Sequence, residues 1–264
     1  AEWFRLLCLI LLFMAVGSVA ANAEQWRWHH TFDGSVDRII DTPDLTYFLT
    51  LGQEYNPDVA EAAVKYGSLL CYDKENDEWR WLDKTTGLSE TTVVEAEYDW
   101  KHRCLVVAYD NGNIDLLKDN GEKTNIPGLM MASGNMSTTV TGISVDENGL
   151  VWVATATGFV SIDAGKGEVM SSRNYGRKVN GVGGLHGRIL VATDDGVYYG
   201  DPLSGNLDTF TKIEGSGNAS RFFTWANQIC YISNVSGINE IYQVDDWSTH
   251  LTATPCSEGM DVYY

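Results

Sequence analysis

The stretch from Glu147 to Asp163 constrains this chain most, because it spells out a whole hairpin. An acidic turn ending in Gly149 leads into the apolar run Leu150 to Thr155, a tight turn closes at Gly158, and a second strand follows from Phe159 to Asp163. The same word returns from Arg188 to Tyr199 and, earlier, from Arg103 to Leu117. Looser copies run from Asn227 to Ile241 and from Asp44 to Leu49, the latter resuming at Gly67 to Asp73. The turn glycines Gly67, Gly112, Gly158, Gly196 and Gly237 lie 45, 46, 38 and 41 residues apart, so the chain is a repeat protein with a period of about 42.

A period of this length, with Gly-marked hairpins and no amphipathic helices, predicts an all-β fold, the four-stranded blade of a β-propeller. About five blades are expected, near residues 33–86, 87–132, 133–175, 176–216 and 217–254, in a ring that the sequence leaves truncated. Each copy opens on an apolar pair three apart: Val36 and Ile39, Val93 and Ala96, Val140 and Ile143, Val179 and Val182, Phe222 and Trp225. These are expected on the innermost strands. The strand after each pair is nearly all apolar, as in Leu105 to Ala108, Leu150 to Ala154 and Ile189 to Ala192, which requires burial on both faces. Stacked blades supply that burial; a β-sandwich that happened to share the spacing is the competing architecture. Ala108, Ala154 and Ala192 hold the same place in three copies, as expected near a crowded axis.

Residues 1–23 read as a signal peptide and 24–264 as the propeller. Arg5 precedes an uncharged run from Leu6 to Val19, too short for a membrane span, and Ala21-Asn22-Ala23 offers small residues where a signal peptidase cleaves. The mature chain is therefore expected to be exported, with no membrane span. Export permits disulfides, yet Cys71, Cys104 and Cys230 each sit in an apolar strand of a different copy, so buried thiols are expected there. The formal net charge of −18 repels phosphate backbones and argues against nucleic acid as a partner.

Between Leu51 and Gly67 the regular turn is replaced by an insertion, in which Asp58 and Glu61 ahead of Ala62, Ala63 and Val64 form a capping-box pattern. That pattern predicts one or two turns of helix in a loop. Catalytic signatures are absent: there is no G-x-S-x-G elbow, no H-E-x-x-H pair and no P-loop. No metal site and no cofactor is expected. The acidic turns at Asp119, Asp146 and Asp194 lack the later ligands of a calcium loop and are explained by the positive φ that Asx-Gly turns need. Asp146 with Trp152 is similar to the Asp-box of sialidase propellers, itself a folding element.

Binding remains. In a propeller the turns between second and third strands open on the same end as the blade-to-blade links, and loops on a rigid scaffold carry function. That end is expected to gather Asp110, Asn111, Thr157, Asp194, Asp195 and Asn234, the inserted segment Tyr55 to Lys65, and the cations Arg173, Arg177 and Lys178. These three form the one cationic cluster in a blade-to-blade connection, and are the candidate contacts for an anionic ligand.

Tyr72-Asp-Lys-Glu, Gly87-Leu-Ser-Glu with Val93, and the run Ala108 to Leu116 resemble the N-terminal propeller of PorZ-type proteins. The word from Asp146 to Gly158 is similar, with a small shift, to the wider two-component-regulator propeller repeat. The resemblance covers roughly Trp26 to Tyr199. It implies an exported protein of Bacteroidota-type bacteria at the outer-membrane surface, in the attachment complex of the type IX secretion system. It further implies a non-enzymatic carrier that binds partner proteins, including a sortase, and anionic lipopolysaccharide. The insertion after Leu51 departs from the family's short turn. A second class of function is a periplasmic glycan-sensing input domain of a hybrid two-component regulator. A third, a glycosidase, needs paired carboxylates, for which Asp110 with Asp194 or Asp195 are the candidates.

Overall fold

The computed structural model describes residues 35–54, 64–127, 129, 136–225, 228–235, 238–247 and 250–255. They form five antiparallel four-stranded sheets, each in simple chain order. The first holds β1 (Ser35–Asp41), β2 (Leu45–Glu54), β3 (Val64–Asp73) and β4 (Glu78–Leu82). The second holds β5 (Val93–Asp99), β6 (Cys104–Tyr109), β7 (Ile114–Lys118) and β8 (Lys123–Ile126). The third holds β9 (Val140–Val145), β10 (Leu150–Thr155), β11 (Gly158–Asp163) and β12 (Glu168–Asn174). The fourth holds β13 (Gly181–Leu185), β14 (Arg188–Thr193), β15 (Gly196–Gly200) and β16 (Thr211–Lys212), with a 3-10 turn at Leu207–Thr209. The fifth holds β17 (Ala219–Trp225), β18 (Gln228–Val235), β19 (Ile238–Trp247) and β20 (His250–Pro255). The first strands of successive sheets touch one another around a common axis, so these are the blades of a propeller. No helix among the described residues is long and apolar enough to cross a membrane.

The second strands show why the blades stack. Alternate residues of a strand face opposite sides of its sheet. In β6, Leu105, Val107 and Tyr109 pack into the first blade, while Cys104, Val106 and Ala108 pack into the third. Val151 and Val153 of β10 face the second blade, and Trp152 and Ala154 face the fourth. In β14, Ile189 and Val191 turn to the third blade and Leu190 and Ala192 to the fifth. All six residues of β6 are buried, and each large side chain so covered is worth about 1.5–3 kcal/mol. Four apolar clusters thus join the blades in series from one to five, and the ring is not closed between five and one.

At the axis the backbone itself is crowded. Ala154 pairs with Gly142 and Ala192 with Gly181. A Cβ on Gly142 would lie 2.9 Å from the Asn180 carbonyl oxygen, and one on Gly181 2.6 Å from that of Ser220. Of the expected inner pairs, Val93, Ala96, Val140, Ile143, Val179, Val182 and Phe222 are buried. On β1, Ile39 is 60% exposed and Val36 half-buried, and the Trp225 side chain lies outside the described residues.

The insertion behaves differently from the loop expected. β2 and β3 run on past the regular turn, with Gly52 opposite Tyr66, Gln53 opposite Lys65 and Glu54 opposite Val64. The expected helix loses Val64 to β3, because the inserted residues at either end continue the ladder; Asp58 to Ala63 lie outside the described residues. Gly67 is consequently inside a strand. Its Cβ would collide with the Val93 carbonyl oxygen, as one on Gly158 would with that of Arg173. Cys71, Cys104 and Cys230 are buried and form no disulfide with one another, and burial pushes the Cys104 thiol up to about 12. Cys256, the leader and Trp26 lie outside the described residues.

Two kinds of glycine follow from this geometry. In urea unfolding, Gly67→Ala and Gly158→Ala should each lose about 3 kcal/mol, since backbone must move. Gly121→Ala, at φ 87° with open space around it, should lose only about 1 kcal/mol. Equal losses at all three positions would refute the close approach.

Candidate functional site at the mouth of the channel

The turn between β14 and β15 and the link from the third to the fourth blade meet at one end of the axis. There they border an open depression of about 510 Å³. Lys178, Asn180 and Asp194 form one wall. Asn180 Nδ2 donates to Asp194 Oδ1 at 2.8 Å and to the Ala219 carbonyl at 2.8 Å, fixing the fourth blade's turn to the fifth blade. Lys178 Nζ lies 3.3 Å from the same carboxylate oxygen. The Asn180 amide, and then Lys178, hold the Asp194 carboxyl below its ordinary range. The opposite wall is Asn218, Ser220 and Ile232, with Thr141, Asp37 and Arg221 completing the lining.

Beneath it lies a charged plug. Glu95, on β5, is buried between two guanidiniums: Arg38 Nη2 at 3.2 Å from Oε2 and Arg221 Nη2 at 3.0 Å from Oε1. Arg38 also reaches Glu97 at 2.9 Å, and Arg221 lies 3.6 Å from Asp37. The network thus joins the first, second and fifth blades across the axis. Burial raises the Glu95 carboxyl pKa, against the pull of both arginines.

The structure brings Lys178 and Asp194 together and separates the other expected residues. Arg173 sits on β12, the outermost strand of its blade, and donates to the Ser172 carbonyl. Arg177 is exposed in the link beside the Tyr198 hydroxyl. Asp195 turns away from the axis, accepting from Thr193 Oγ1 and, at 2.8 Å, from the Tyr198 hydroxyl. Asp110 and Asn111 occupy the β6–β7 turn of another blade, where Asn111 Oδ1 accepts from the Asn113 amide. Asn234 pairs with Asn239 on the β18–β19 ladder, and its side chain lies outside the described residues. Thr157 Oγ1 accepts from the Ser137 amide at 2.8 Å.

Sequence reading missed Arg221, Asn180 and Asp37. Arg221 occupies an inner strand where the pattern is apolar, and Glu95, its partner, is 126 residues away, so no local spacing announces the pair.

The chemistry of the depression is hydrogen bonding of both signs. Thr141 Oγ1 donates to the Val179 carbonyl at 2.6 Å and Ser220 Oγ to that of Ile232 at 3.3 Å, so neither hydroxyl is paired with a base. The carboxyls of Asp194 and Asp195 are both held low, the opposite of what a general acid needs. Cations, carboxylates, amides and hydroxyls on a shallow open surface suit a polyhydroxylated or peptide ligand.

Two of the motifs behind the family resemblance, Gly87-Leu-Ser-Glu and the run Ala108 to Leu116, meet elsewhere, in a buried knot of the second blade. Asp115 accepts from the Ser89 amide at 2.7 Å, the Ser89 hydroxyl at 2.7 Å, the Tyr109 hydroxyl at 2.6 Å and Asn125 Nδ2 at 2.8 Å. It ties the link at Gly87-Leu-Ser-Glu to the run Ala108 to Leu116. In the third blade Asp146 fastens the β9–β10 turn to its own strand, accepting from the amides of Asn148 and Leu150 and from Trp152 Nε1.

Comparison with known proteins agrees with that resemblance. The family model for the TSS9, PorZ, N-terminal beta-propeller domain matches residues 63–212, more than half of the chain. Among solved structures, PorZ of Porphyromonas gingivalis, described as an essential bacterial surface component of the type-IX secretion system, superposes with a TM-score of 0.63 at 21% identity. The match covers 84% of this chain and 28% of PorZ, so the chain spans little more than a quarter of that protein's length. The extracellular domain assigned to a hybrid two component system of B. thetaiotaomicron superposes with a TM-score of 0.54 at 16% identity, covering 76% of this chain and 26% of that one. A search of curated protein sequences finds no match.

The plug makes a prediction about pH. Because Glu95 holds its proton more tightly folded than unfolded, its contribution favours the fold below the ordinary glutamate value of about 4.3 and is lost as pH rises through its higher folded value. The stability advantage of the wild type over Glu95→Gln should therefore shrink between pH 4 and pH 7 in urea titrations. An advantage that grows instead would mean that the two arginines outweigh burial.

Proposed function

We propose that this chain, which belongs to the PorZ N-terminal β-propeller family, is an exported, surface-exposed module of a type IX secretion apparatus that works by binding rather than by catalysis. Its partners would be other proteins of the complex, a sortase among them, and its location the outer-membrane surface. The observation that carries the reading is the open polar depression at the channel mouth, where Lys178 and Arg221 stand among carboxylates, amides and hydroxyls.

We further propose that a glycan chain is the ligand there, with anionic lipopolysaccharide as the leading candidate. A surface of net charge −18 opposes such a ligand at long range, so recognition has to rest on local cations. Lys178 suits that role: its pairing with Asp194 is solvent-exposed and contributes little, so an incoming anionic group can replace the carboxylate at small cost. Arg173 and Arg177 lie outside the depression and would contribute at its rim.

A second reading, a periplasmic glycan-sensing input domain of a hybrid two-component regulator, is favoured by the fold shared with the B. thetaiotaomicron extracellular domain. That likeness concerns fold alone. A kinase encoded downstream in the full-length gene would favour sensing.

Titration calorimetry with purified anionic lipopolysaccharide tests the leading reading. Lys178→Ala should weaken binding about tenfold, equivalent to about 1.4 kcal/mol, with an unchanged unfolding midpoint, and Asn180→Ala should weaken it similarly while also lowering the midpoint, because it removes the bonds to Asp194 and Ala219. Wild-type affinity in both variants would remove the depression as the glycan site.

A further inference from the structure

We propose, resting on the glycan reading of the channel-mouth depression, that its ligand is an amino sugar whose free ammonium group is held by an arc of hydrogen-bond acceptors on the third, fourth and fifth blades. Four side chains make the arc: Thr141 on β9, Asn180 in the link before β13, Asp194 in the β14–β15 turn and Ser220 on β17. Their blades adjoin through two continuous apolar clusters, so packing between neighbouring sheets sets the spacing of the arc.

None of the four has a proton left to give. Thr141 Oγ1 donates to the Val179 carbonyl at 2.6 Å, and Ser220 Oγ to that of Ile232 at 3.3 Å. Asn180 Nδ2 gives its two hydrogens to Asp194 Oδ1 and to the Ala219 carbonyl, both at 2.8 Å. Both of those neighbours can only accept, so the amide cannot be turned round, and the group it has left is the acceptor Oδ1. The Asp194 carboxyl, held low by the Asn180 amide and then by Lys178, is ionised at neutral pH.

What the arc offers is lone pairs, and lone pairs select the ligand. A sugar hydroxyl brings one donor together with lone pairs of its own, and a carboxylate or phosphate brings lone pairs alone. A protonated amine brings three donors and no acceptor, so it alone among these groups meets the arc without repulsion. Its bonds are charge-assisted, and the net charge of −18 draws it toward the protein. Lys178, on the same wall, supplies the opposite sign. A saccharide unit carrying an ammonium as well as an anionic group therefore fits the depression better than an anionic unit alone.

The test titrates the 264-residue chain calorimetrically with a glucosamine oligosaccharide and with its N-acetylated counterpart, at about pH 6, where such amines keep their proton. The glucosamine oligosaccharide should bind about tenfold more tightly, because acetylation keeps every hydroxyl but trades the ammonium for an amide. Asp194→Asn should weaken its binding about tenfold, and Thr141→Val and Ser220→Ala about threefold each. Ser220 is exposed, so its variant keeps the test sound if Thr141→Val lowers the unfolding midpoint. These last two variants leave the charge unaltered, so wild-type affinity in both would reduce the effect to general attraction and overturn the proposal. Equal binding of the two oligosaccharides, or no binding of the glucosamine form, would overturn it too. The lipopolysaccharide titration is read separately: if that ligand binds and loses affinity in Lys178→Ala while the glucosamine oligosaccharide does not bind, the ammonium site falls and the glycan reading stands.

Discussion

The fold depends on one constraint: the second strand of each blade is apolar on both faces and needs a neighbouring sheet on either side. Leu105 and Val106 are successive residues that bury into different blades, so a single sheet cannot satisfy β6. A sandwich would cover one face of each sheet and leave the other polar. Stacking around an axis covers both, and it brings the first strands together where glycines and alanines alone fit the approach of backbone to backbone. Polar residues are thereby driven to the turns and links at the two ends, and the depression lies at one of them.

Much of this was legible beforehand, and the reasons are local. Period-two burial and hairpin glycines act over a few residues, so the repeat at Leu105, Leu150 and Ile189 reads directly as stacked strands. The insertion after Leu51 did not, because whether Gly52 to Glu54 extend a ladder depends on partners from Val64 to Tyr66 rather than on their own propensity. Gly67 was read as a turn residue for the same reason; it is a strand residue under a neighbouring carbonyl.

The site was legible in outline only. Chain proximity grouped Arg173, Arg177 and Lys178, but a hairpin sends residues five apart to different radii, and the first belongs to an outer strand while the last borders the axis. Lys178 with Asp194 could be expected because turn and link share an end of the propeller. Arg221 with Glu95 could not, since that pair forms only when the fifth blade swings round to face the second. The family words of the second blade do not line the depression. The Asp115 knot explains them as fastenings between a link and its blade, so kinship here is written in parts that hold the scaffold, while the surfaces that meet partners are free to differ.

The charged plug at the axis gives this propeller a mechanical character. Among the described residues, its first and fifth blades share no sheet and no apolar cluster; they are drawn inward by guanidinium and carboxylate groups that meet at the hub. Ionic tethers tolerate small changes of angle that interlocked side chains do not. The five blades are therefore held in two ways, by four apolar joints between successive sheets and by charge contacts at the hub.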